Sequence, residues 1–255
     1  NEMANESREA VLAKLASNPR YTALFAETFD QGLTERTLGR ALAAYQRALL
    51  SGDSPFDRWY FGDERSTGRS SGAEGYPELA ARGFAVFQDK GCASCHSFND
   101  KSALFTDGQY HNTGTGFQRA GRARRPPSVQ LAPGVFVVPT VDAETETFTD
   151  DGRFEVTGRE ADKWRYRTPS LRNVALTSPY MHDGSIATLE RVVAFYAEGG
   201  GGDPTQDPRT RSVRLTESAQ IALVAFLRTL TSSHVDALVS DARSVTIGER
   251  SAGGQ

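Results

Sequence analysis

Both cysteines of this 255-residue chain lie in one pentapeptide, Cys92-Ala-Ser-Cys95-His96. Two thiols at this spacing can add to the two vinyl groups of a haem, while the histidine that follows reaches the iron from one face. The motif therefore predicts a covalently bound haem c attached to Cys92 and Cys95, with His96 as an axial ligand of the iron.

Other uses of the two thiols lack supporting context. A disulfide across two intervening residues closes so small a loop that it would restrict the unfolded chain very little. A thioredoxin-like redox pair needs a surrounding βαβ pattern, and a zinc site needs further ligands at suitable spacing. The remaining histidines are scattered through the sequence, at His111, His182 and His234. Haem attachment is the favoured interpretation.

Composition sets broad limits on the class of protein. The length suits one or two domains, and 38% apolar with 24% charged residues is ordinary for a globular chain. A net charge of −3 provides no basic field for nucleic acid or an anionic membrane. No apolar run is long enough for a membrane span, and the first residues lack the pattern of a signal peptide. We therefore expect neither nucleic acid as a partner nor a membrane-spanning segment.

Apolar periodicity predicts a mainly α-helical fold. Three helices are expected in the first fifty residues, and the third places Leu38, Leu42, Tyr45 and Leu49 on one face. We interpret these stripes as buried core. Further helices are expected at 77–87, within 187–202, where Thr188 is the cap and the glycines are the stop, and at about 216–230. Strand signals are few.

Two segments interrupt the helical pattern. Residues 62–76 are rich in glycine, serine and charge, which indicates an exposed linker. Residues 118–151 begin with clustered arginines and end in an acidic run, which indicates a long loop with a hairpin. The expected organisation is a first domain with its linker at 1–75, a second domain at 76–235 and a tail at 236–255.

Several motifs resemble, in the same order, those of the bacterial di-haem cytochrome c peroxidase and MauG family. They are GCASCHSF, FTDGQYHNTG, GRFEVTG, YRTPSLRNVALTSPYMHDGS, ATLERVVAFYAEGG and ALVAFLRTLT, together with NEM and LLSGDSPFDRW near the start. The resemblance implies two c-type cytochrome-like haem domains in a periplasmic enzyme. Because the chain has a single C-x-x-C-H, the second haem is expected from residues outside this sequence or from another polypeptide.

The resemblance also assigns roles to individual positions. Glu2, in the NEM motif, corresponds to the distal acid/base of the peroxide-binding haem, where a carboxylate would move protons between the peroxide oxygens. The backbone carbonyls of Thr177 and Pro179 correspond to ligands of a calcium ion, a hard cation that prefers oxygen. These roles are implied by the family and not by the residues alone.

The second axial ligand has several candidates. Composition alone favours Met181, the only methionine after the haem motif, and His182 is its neighbour. The family resemblance favours Tyr196 instead, because MauG places a tyrosine at this position of the helix and cytochrome c peroxidases place a methionine there. The apolar stripe of that helix is equally compatible with a tyrosine that only packs in the core.

The resemblance implies a MauG-like enzyme that uses hydrogen peroxide to oxidise a partner protein, at tryptophan or tyrosine, by long-range electron transfer through two haems. One departure is Lys90, where MauG has a relaying surface tryptophan; Trp59 and Trp164 lie elsewhere. The alternatives are a peroxidase that takes electrons from a small cytochrome or copper protein, and a mono-haem electron carrier. Residues 118–151 are the expected docking surface for a partner.

Overall fold

The computed structural model describes residues 7–49, 51–62, 75–120, 129–132, 135–137, 150–211 and 213–244. Glu2 and most of the predicted linker and long loop lie outside these ranges. The described chain is mainly helical, as predicted, and it separates into two compact units after Leu50. None of the described helices combines the length and the apolar character that crossing a bilayer requires.

The first unit contains three capped helices: α1 Arg8–Ala16, α2 Pro19–Thr28 and α3 Glu35–Ala48. The side chains of Ser7, Asn18 and Thr34 accept hydrogen bonds from the first turns of these helices. Such caps satisfy amide groups that have no partner inside the helix. The local helix signals of the sequence are therefore realised.

The predicted burial of these helices is wrong for the described residues. In α3 the buried residue is Thr37, while Leu42 is 53% exposed and Tyr45 is 58% exposed. Leu49 is also exposed, and no residue of α1 or α2 is fully buried. The apolar stripe exists, but no other described element of this unit covers it.

The second unit contains the remaining helices. They are α4 Pro55–Tyr60, α5 Glu78–Asp89, α6 Thr115–Ala120, α7 Phe154–Thr157, α8 Leu189–Ala197, α9 Pro208–Arg211, α10 Glu217–Arg228 and α11 Val235–Ser244. The unit begins at Ser51, so it includes α4. The sequence pattern instead predicts that residues 55–60 belong to the first domain, before the linker. Helix α11 similarly occupies part of the predicted tail.

An aromatic cluster explains why α4 belongs to the second unit. Phe56 is 0% exposed, and its ring lies 5.2 Å from that of Phe84, 5.3 Å from Phe105 and 5.6 Å from Phe226, measured between centroids. These rings come from α4, α5, α10 and the loop after the cysteine motif. Burial of such large side chains dominates the stability of a core. The core therefore draws together segments that are far apart in sequence.

Helices α5 and α10 approach closely at Gly83. A Cβ atom at this position would lie 2.8 Å from Cβ of Phe226 and still closer to the carbonyl oxygen of Ala222. Only glycine lets the two backbones meet at this distance. The contact fixes α5, and it thereby fixes the start of the cysteine motif that follows α5.

Short antiparallel pairs complete the unit. Strand β1 Tyr110–His111 pairs with β4 Tyr166–Arg167. Strand β2 Val129–Ala132 pairs with β3 Val135–Val137, as the hairpin expected inside residues 118–151. The β1–β4 pair connects the loop after the cysteine motif to the segment that leads to Met181, and so it brings two sides of the site together.

Candidate functional site

A cavity of about 430 Å³ in the second unit collects almost all of the predicted site residues. Its apolar walls include Phe87, Leu171, Val193, Leu223 and Leu227. The predicted site residues in its lining are Cys92, Cys95, His96, Thr177, Pro179, Met181, His182 and Tyr196. Glu2 lies outside the described residues. Tertiary folding thus brings together positions that are up to 104 residues apart in the sequence, from Cys92 to Tyr196.

The cysteine motif forms a tight turn directly after α5. Gly91 has φ of 78°, a left-handed conformation that favours glycine, and Cys92–Ser94 form a single 3₁₀ turn. The two cysteines are not joined in a disulfide. Burial raises the pKa of Cys92 to about 11 and also raises the pKa of Cys95. Both sulfurs are therefore protonated near neutral pH, which disfavours metal binding as thiolates and spontaneous disulfide formation.

His96 is held in one tautomer by the backbone. Its Nδ1 lies 2.9 Å from the carbonyl oxygen of Phe105. Because a carbonyl can only accept, Nδ1 carries the hydrogen and Nε2 keeps a lone pair. Burial lowers the pKa of His96. Hydrogen bonds to the Phe105 and Pro169 carbonyls raise it by less, so the net pKa is lowered. A neutral imidazole with a lone pair on Nε2 is the form that ligates a metal.

Tyr196 lies on α8, whose first turn is capped by the Thr188 side chain as predicted. Burial, followed by the two cysteine sulfurs, raises the pKa of Tyr196 to about 12. Tyr196 is partly exposed to the cavity, and its hydroxyl forms no hydrogen bond within the described part of the chain. A phenol oxygen is thus presented to the same cavity as the cysteine motif.

Met181 and His182 line the same cavity. The His182 ring stacks on Tyr166 at 3.6 Å between centroids, and its Nε2 lies 3.8 Å from a carboxylate oxygen of Asp150. These contacts give His182 a packing role. The geometry leaves both Met181 and Tyr196 available as candidate ligands.

A polar cluster beside Cys95 was missed in the sequence. His111 contacts Asp107 through Nε2 at 2.8 Å and Asp207 through Nδ1 at 3.0 Å, and Arg209 pairs with Asp207 at 2.6 Å. Hydrogen bonds from Arg209 lower the pKa of Asp207. This effect is larger than that of burial, which raises the pKa, so the net pKa is lowered. The motif FTDGQYHNTG contained two of these residues, but Asp207 and Arg209 joined them only through folding.

This cluster bears on the zinc alternative. His111 is 16 residues from Cys95 in the sequence, and ligand atoms of Cys95, Asp107 and His111 lie within 4.8 Å of one another. A catalytic zinc site can use three protein ligands. However, both His111 nitrogens already contact carboxylates, and the Cys95 thiol has a raised pKa. These three side chains are therefore poor candidates for zinc ligands.

The cavity fits a haem better. Its volume lies within the range of roughly 300–1,000 Å³ that is usual for cofactor sites, and its walls are largely apolar. Two thiols and a neutral histidine line it, and a phenol oxygen without a partner faces it. Each of these groups matches a need of a covalently held porphyrin: sulfur for the vinyl groups and N or O donors for the iron.

Comparisons with known proteins identify the family to which the chain is similar. A family model described as di-haem cytochrome c peroxidase matches residues 1–65. The chain is 34% identical over 229 residues to the methylamine utilization protein MauG of Methylorubrum extorquens, covering 89% of this chain and 53% of that protein. It is 33% identical over 248 residues to the cytochrome-c peroxidase IdrP1 of Denitromonas iodatirespirans, covering 93% and 60%.

A solved structure gives the same result. The crystal structure of a MauG-like protein associated with microbial copper homeostasis superposes with a TM-score of 0.60 and 26% identity, covering 90% of this chain and 63% of that one. The chain spans between about half and two thirds of the length of these relatives. From its motifs, its helical fold and these likenesses, the chain belongs to the family of di-haem cytochrome c peroxidases and MauG proteins.

Proposed function

We propose that the chain is part of a periplasmic, MauG-like di-haem enzyme that uses hydrogen peroxide to oxidise a partner protein. The observation that carries this proposal is the Tyr196 hydroxyl, which has no partner among the described residues and faces the cavity of the haem motif. When bound, the haems supply redox chemistry that takes two oxidising equivalents from each peroxide molecule. The partner would be oxidised at tryptophan or tyrosine.

Cys92 and Cys95 would hold the haem of this chain. Each S–H adds across a vinyl double bond, so that a C–S bond forms and the thiol hydrogen passes to the other vinyl carbon without net oxidation. His96 would ligate the iron through Nε2, because Nδ1–H is committed to the Phe105 carbonyl. The largely apolar surface of the cavity would favour burial of a porphyrin.

Tyr196 would supply a second protein ligand to the iron. Its raised pKa keeps the proton on the oxygen in the protein alone, and an adjacent iron cation would favour its loss. A phenolate is a hard anionic ligand, and it stabilises the oxidised metal more than a thioether does. That preference suits a site that stores oxidising equivalents for a distant partner protein.

Peroxide would react at the second haem, supplied by residues outside this sequence or by another polypeptide. Glu2 would move a proton between the two peroxide oxygens there. Two electrons and two protons convert one hydrogen peroxide to two water molecules, and the electrons come from the partner protein. The carbonyls of Thr177 and Pro179 would ligate Ca²⁺, as oxygen donors do for this cation. Residues 118–151 would contribute to docking of the partner.

Haem attachment is tested by producing the chain in a host with a cytochrome c maturation system. We expect the mass of a haem on the peptide that contains Cys92 and Cys95, and a haem stain that survives denaturation. Cys92→Ala/Cys95→Ala should lose both signals, while Ser94→Ala, between the two thiols, should keep them. An unmodified wild-type peptide would overturn the proposal.

The ligand of the iron is tested by a matched pair of variants. Tyr196→Phe should change the ferric spectrum and abolish oxidation of the partner protein, whereas Met181→Ala should retain both. The reverse outcome would favour the second candidate, a cytochrome c peroxidase with a methionine ligand that takes electrons from a small cytochrome or cupredoxin. That candidate is supported by the position of Met181 in the same cavity and by the peroxidase relatives.

Substrate assays separate the functions further. A peroxidase should turn over peroxide with a reduced small redox protein, and a MauG-like enzyme should oxidise its partner protein instead. A mono-haem electron carrier, the candidate from another class, should not consume peroxide at all. Measurement of iron per complete assembly distinguishes one haem from two.

A further inference from the structure

The carbonyl that orients His96 belongs to a buried and conformationally unusual loop. Ala103 and Phe105 are almost fully buried, and Phe105 has φ of 54°, which is uncommon for a residue with a large side chain. The backbone at Phe105 aims its carbonyl at Nδ1 of His96. Such a conformation persists only where surrounding contacts impose it.

Arg172 supplies two of those contacts, beside the hydrogen bonds of neighbouring residues and the aromatic rings packed on Phe105. Its Nε donates to the carbonyl oxygen of Ala103 at 2.6 Å, and its guanidinium lies over the Phe105 ring, 5.4 Å from the centroid. The Arg172 side chain is only 10% exposed. One planar cation therefore holds both the backbone and the side chain of the loop that carries the His96 acceptor.

Asp57 in turn orients Arg172. The guanidinium donates through Nη1 and Nη2 to the two Asp57 carboxylate oxygens at 2.6 and 2.7 Å. Asp57 also accepts from the backbone and hydroxyl of Ser54, both at 2.9 Å, in the capping box of α4. A forked pair fixed at both ends has little freedom to rotate. The contacts continue from α4 through Asp57 and Arg172 to the loop and His96.

We infer that Arg172 and Asp57 are positioning residues for the haem ligand His96, and that they set the reduction potential of the haem by fixing its Nδ1–H hydrogen bond. The inference rests on the haem site of the proposed function. A strong hydrogen bond from Nδ1–H increases the basicity of the ligating nitrogen, and partners in this outer shell tune the metal. A more basic ligand stabilises ferric iron and so lowers the potential.

A purely electrostatic effect of the two charges predicts a different pattern. Removal of the Arg172 cation alone would stabilise ferric iron and lower the potential, while removal of the Asp57 anion would raise it. Loss of positioning weakens the His96 hydrogen bond in both cases, and so it raises the potential in both. The signs of the two shifts therefore separate the mechanisms.

The test uses the haem-loaded full chain, with spectroelectrochemical titration of the haem bound at His96. We expect Arg172→Lys, Arg172→Gln and Asp57→Asn all to raise its potential, with about a tenfold change in the oxidation equilibrium for Arg172→Gln, or about 59 mV. Exchange of the His96 Nδ1 proton, followed by NMR, should become faster in the same variants. Arg228→Gln removes an exposed arginine from a carboxylate pair of the same unit and should change neither quantity.

The outcomes are distinct. An unchanged potential in haem-loaded Arg172→Lys and Asp57→Asn would overturn the inference, as would shifts of opposite sign for Arg172→Gln and Asp57→Asn. If Arg172→Gln does not fold, Arg172→Lys and Asp57→Asn decide the question alone. Lysine keeps the positive charge but lacks the guanidinium that donates to both Asp57 carboxylate oxygens. Absence of haem from the wild-type chain would instead overturn the proposed function.

Discussion

Helices α3 and α5 have similar sequence patterns but differ in how far their apolar faces are buried. Both helices are amphipathic. Helix α3 separates apolar and polar residues onto opposite faces at least as clearly as α5 does. Helix α5 buries Ala80, Gly83, Phe84 and Phe87, whereas α3 buries Thr37. Amphipathic spacing therefore identifies an apolar face, but it does not show that another element of the chain covers it.

The difference lies in the partner elements. Helix α5 packs against α10 at Gly83 and joins the aromatic cluster around Phe56. The face of α3 that carries Leu42 and Tyr45 has no such cover within its own unit. Isolated short helices are marginal in water, so α3 depends more on its caps and the turn at Thr37.

The largest effect is expected at the aromatic core. Phe56→Ala should lower the free energy of unfolding by about 3–5 kcal/mol, because it removes a fully buried ring and leaves a cavity. Urea unfolding followed by the fluorescence of Trp59 and Trp164 measures this, since both indoles lie in the second unit. Phe117→Ala, at an exposed ring of the same unit, is the control. Equal losses in the two variants would contradict the central role of Phe56.

A somewhat smaller effect is expected at the buried ion pair. Asp57→Asn should cost about 3 kcal/mol at pH 7, because it leaves the Arg172 cation without its partner. Burial raises the pKa of Asp57, but hydrogen bonds from Arg172 and Ser54 outweigh it, and the net pKa is lowered.

The lowered pKa fixes the direction of the pH dependence. The stabilisation by Asp57 is complete above the pKa of the unfolded chain, about 3.9, and is lost as the pH falls through the folded value. The difference between wild type and Asp57→Asn should therefore shrink below about pH 4. Unfolding curves from pH 7 to 3, with the exposed Glu190→Gln as control, test this. A difference that stays constant with pH would contradict it.

Helix packing at Gly83 should be sensitive to a single methyl group. Gly83→Ala should cost about 1–3 kcal/mol, because the new Cβ meets the Ala222 carbonyl and Phe226 and forces α5 away from α10. Gly39→Ala in α3 is the matched control, since a Cβ there meets nothing within 4 Å. That substitution should be neutral or slightly stabilising through helix propensity. Thermal unfolding by circular dichroism compares the two, and a neutral Gly83→Ala would show that the helices can separate freely.

The smallest effect is expected on the exposed face of α3. Leu42→Ala should change the free energy of unfolding by less than about 0.5 kcal/mol, because the side chain is already half-exposed. The helical circular dichroism signal measures this in urea. A loss comparable to that of Phe56→Ala would show that the α3 face is covered in solution.

Local features of the fold could be predicted because neighbouring residues specify them. Asn18 and Pro19 mark the start of α2, and Thr188 caps α8, since a side-chain oxygen satisfies nearby amides whatever the rest of the chain does. The haem motif is local for the same reason. The boundary after Leu50 could not be predicted in this way, because Phe56 and Asp57 join the second unit through residues such as Phe226 and Arg172.

The sequence by itself determined the mainly helical fold, the cysteine motif with His96, and the candidate ligands Met181 and Tyr196 that follow it. Tertiary structure decided that Cys92, His96, Met181 and Tyr196 line one cavity, that Asp207 and Arg209 join His111, and that Arg172 supports the loop of Phe105. The physical reason is that caps and helical periodicity act over a few residues along the chain. Burial and buried ion pairs depend on which distant segments meet, and no local pattern contains that information.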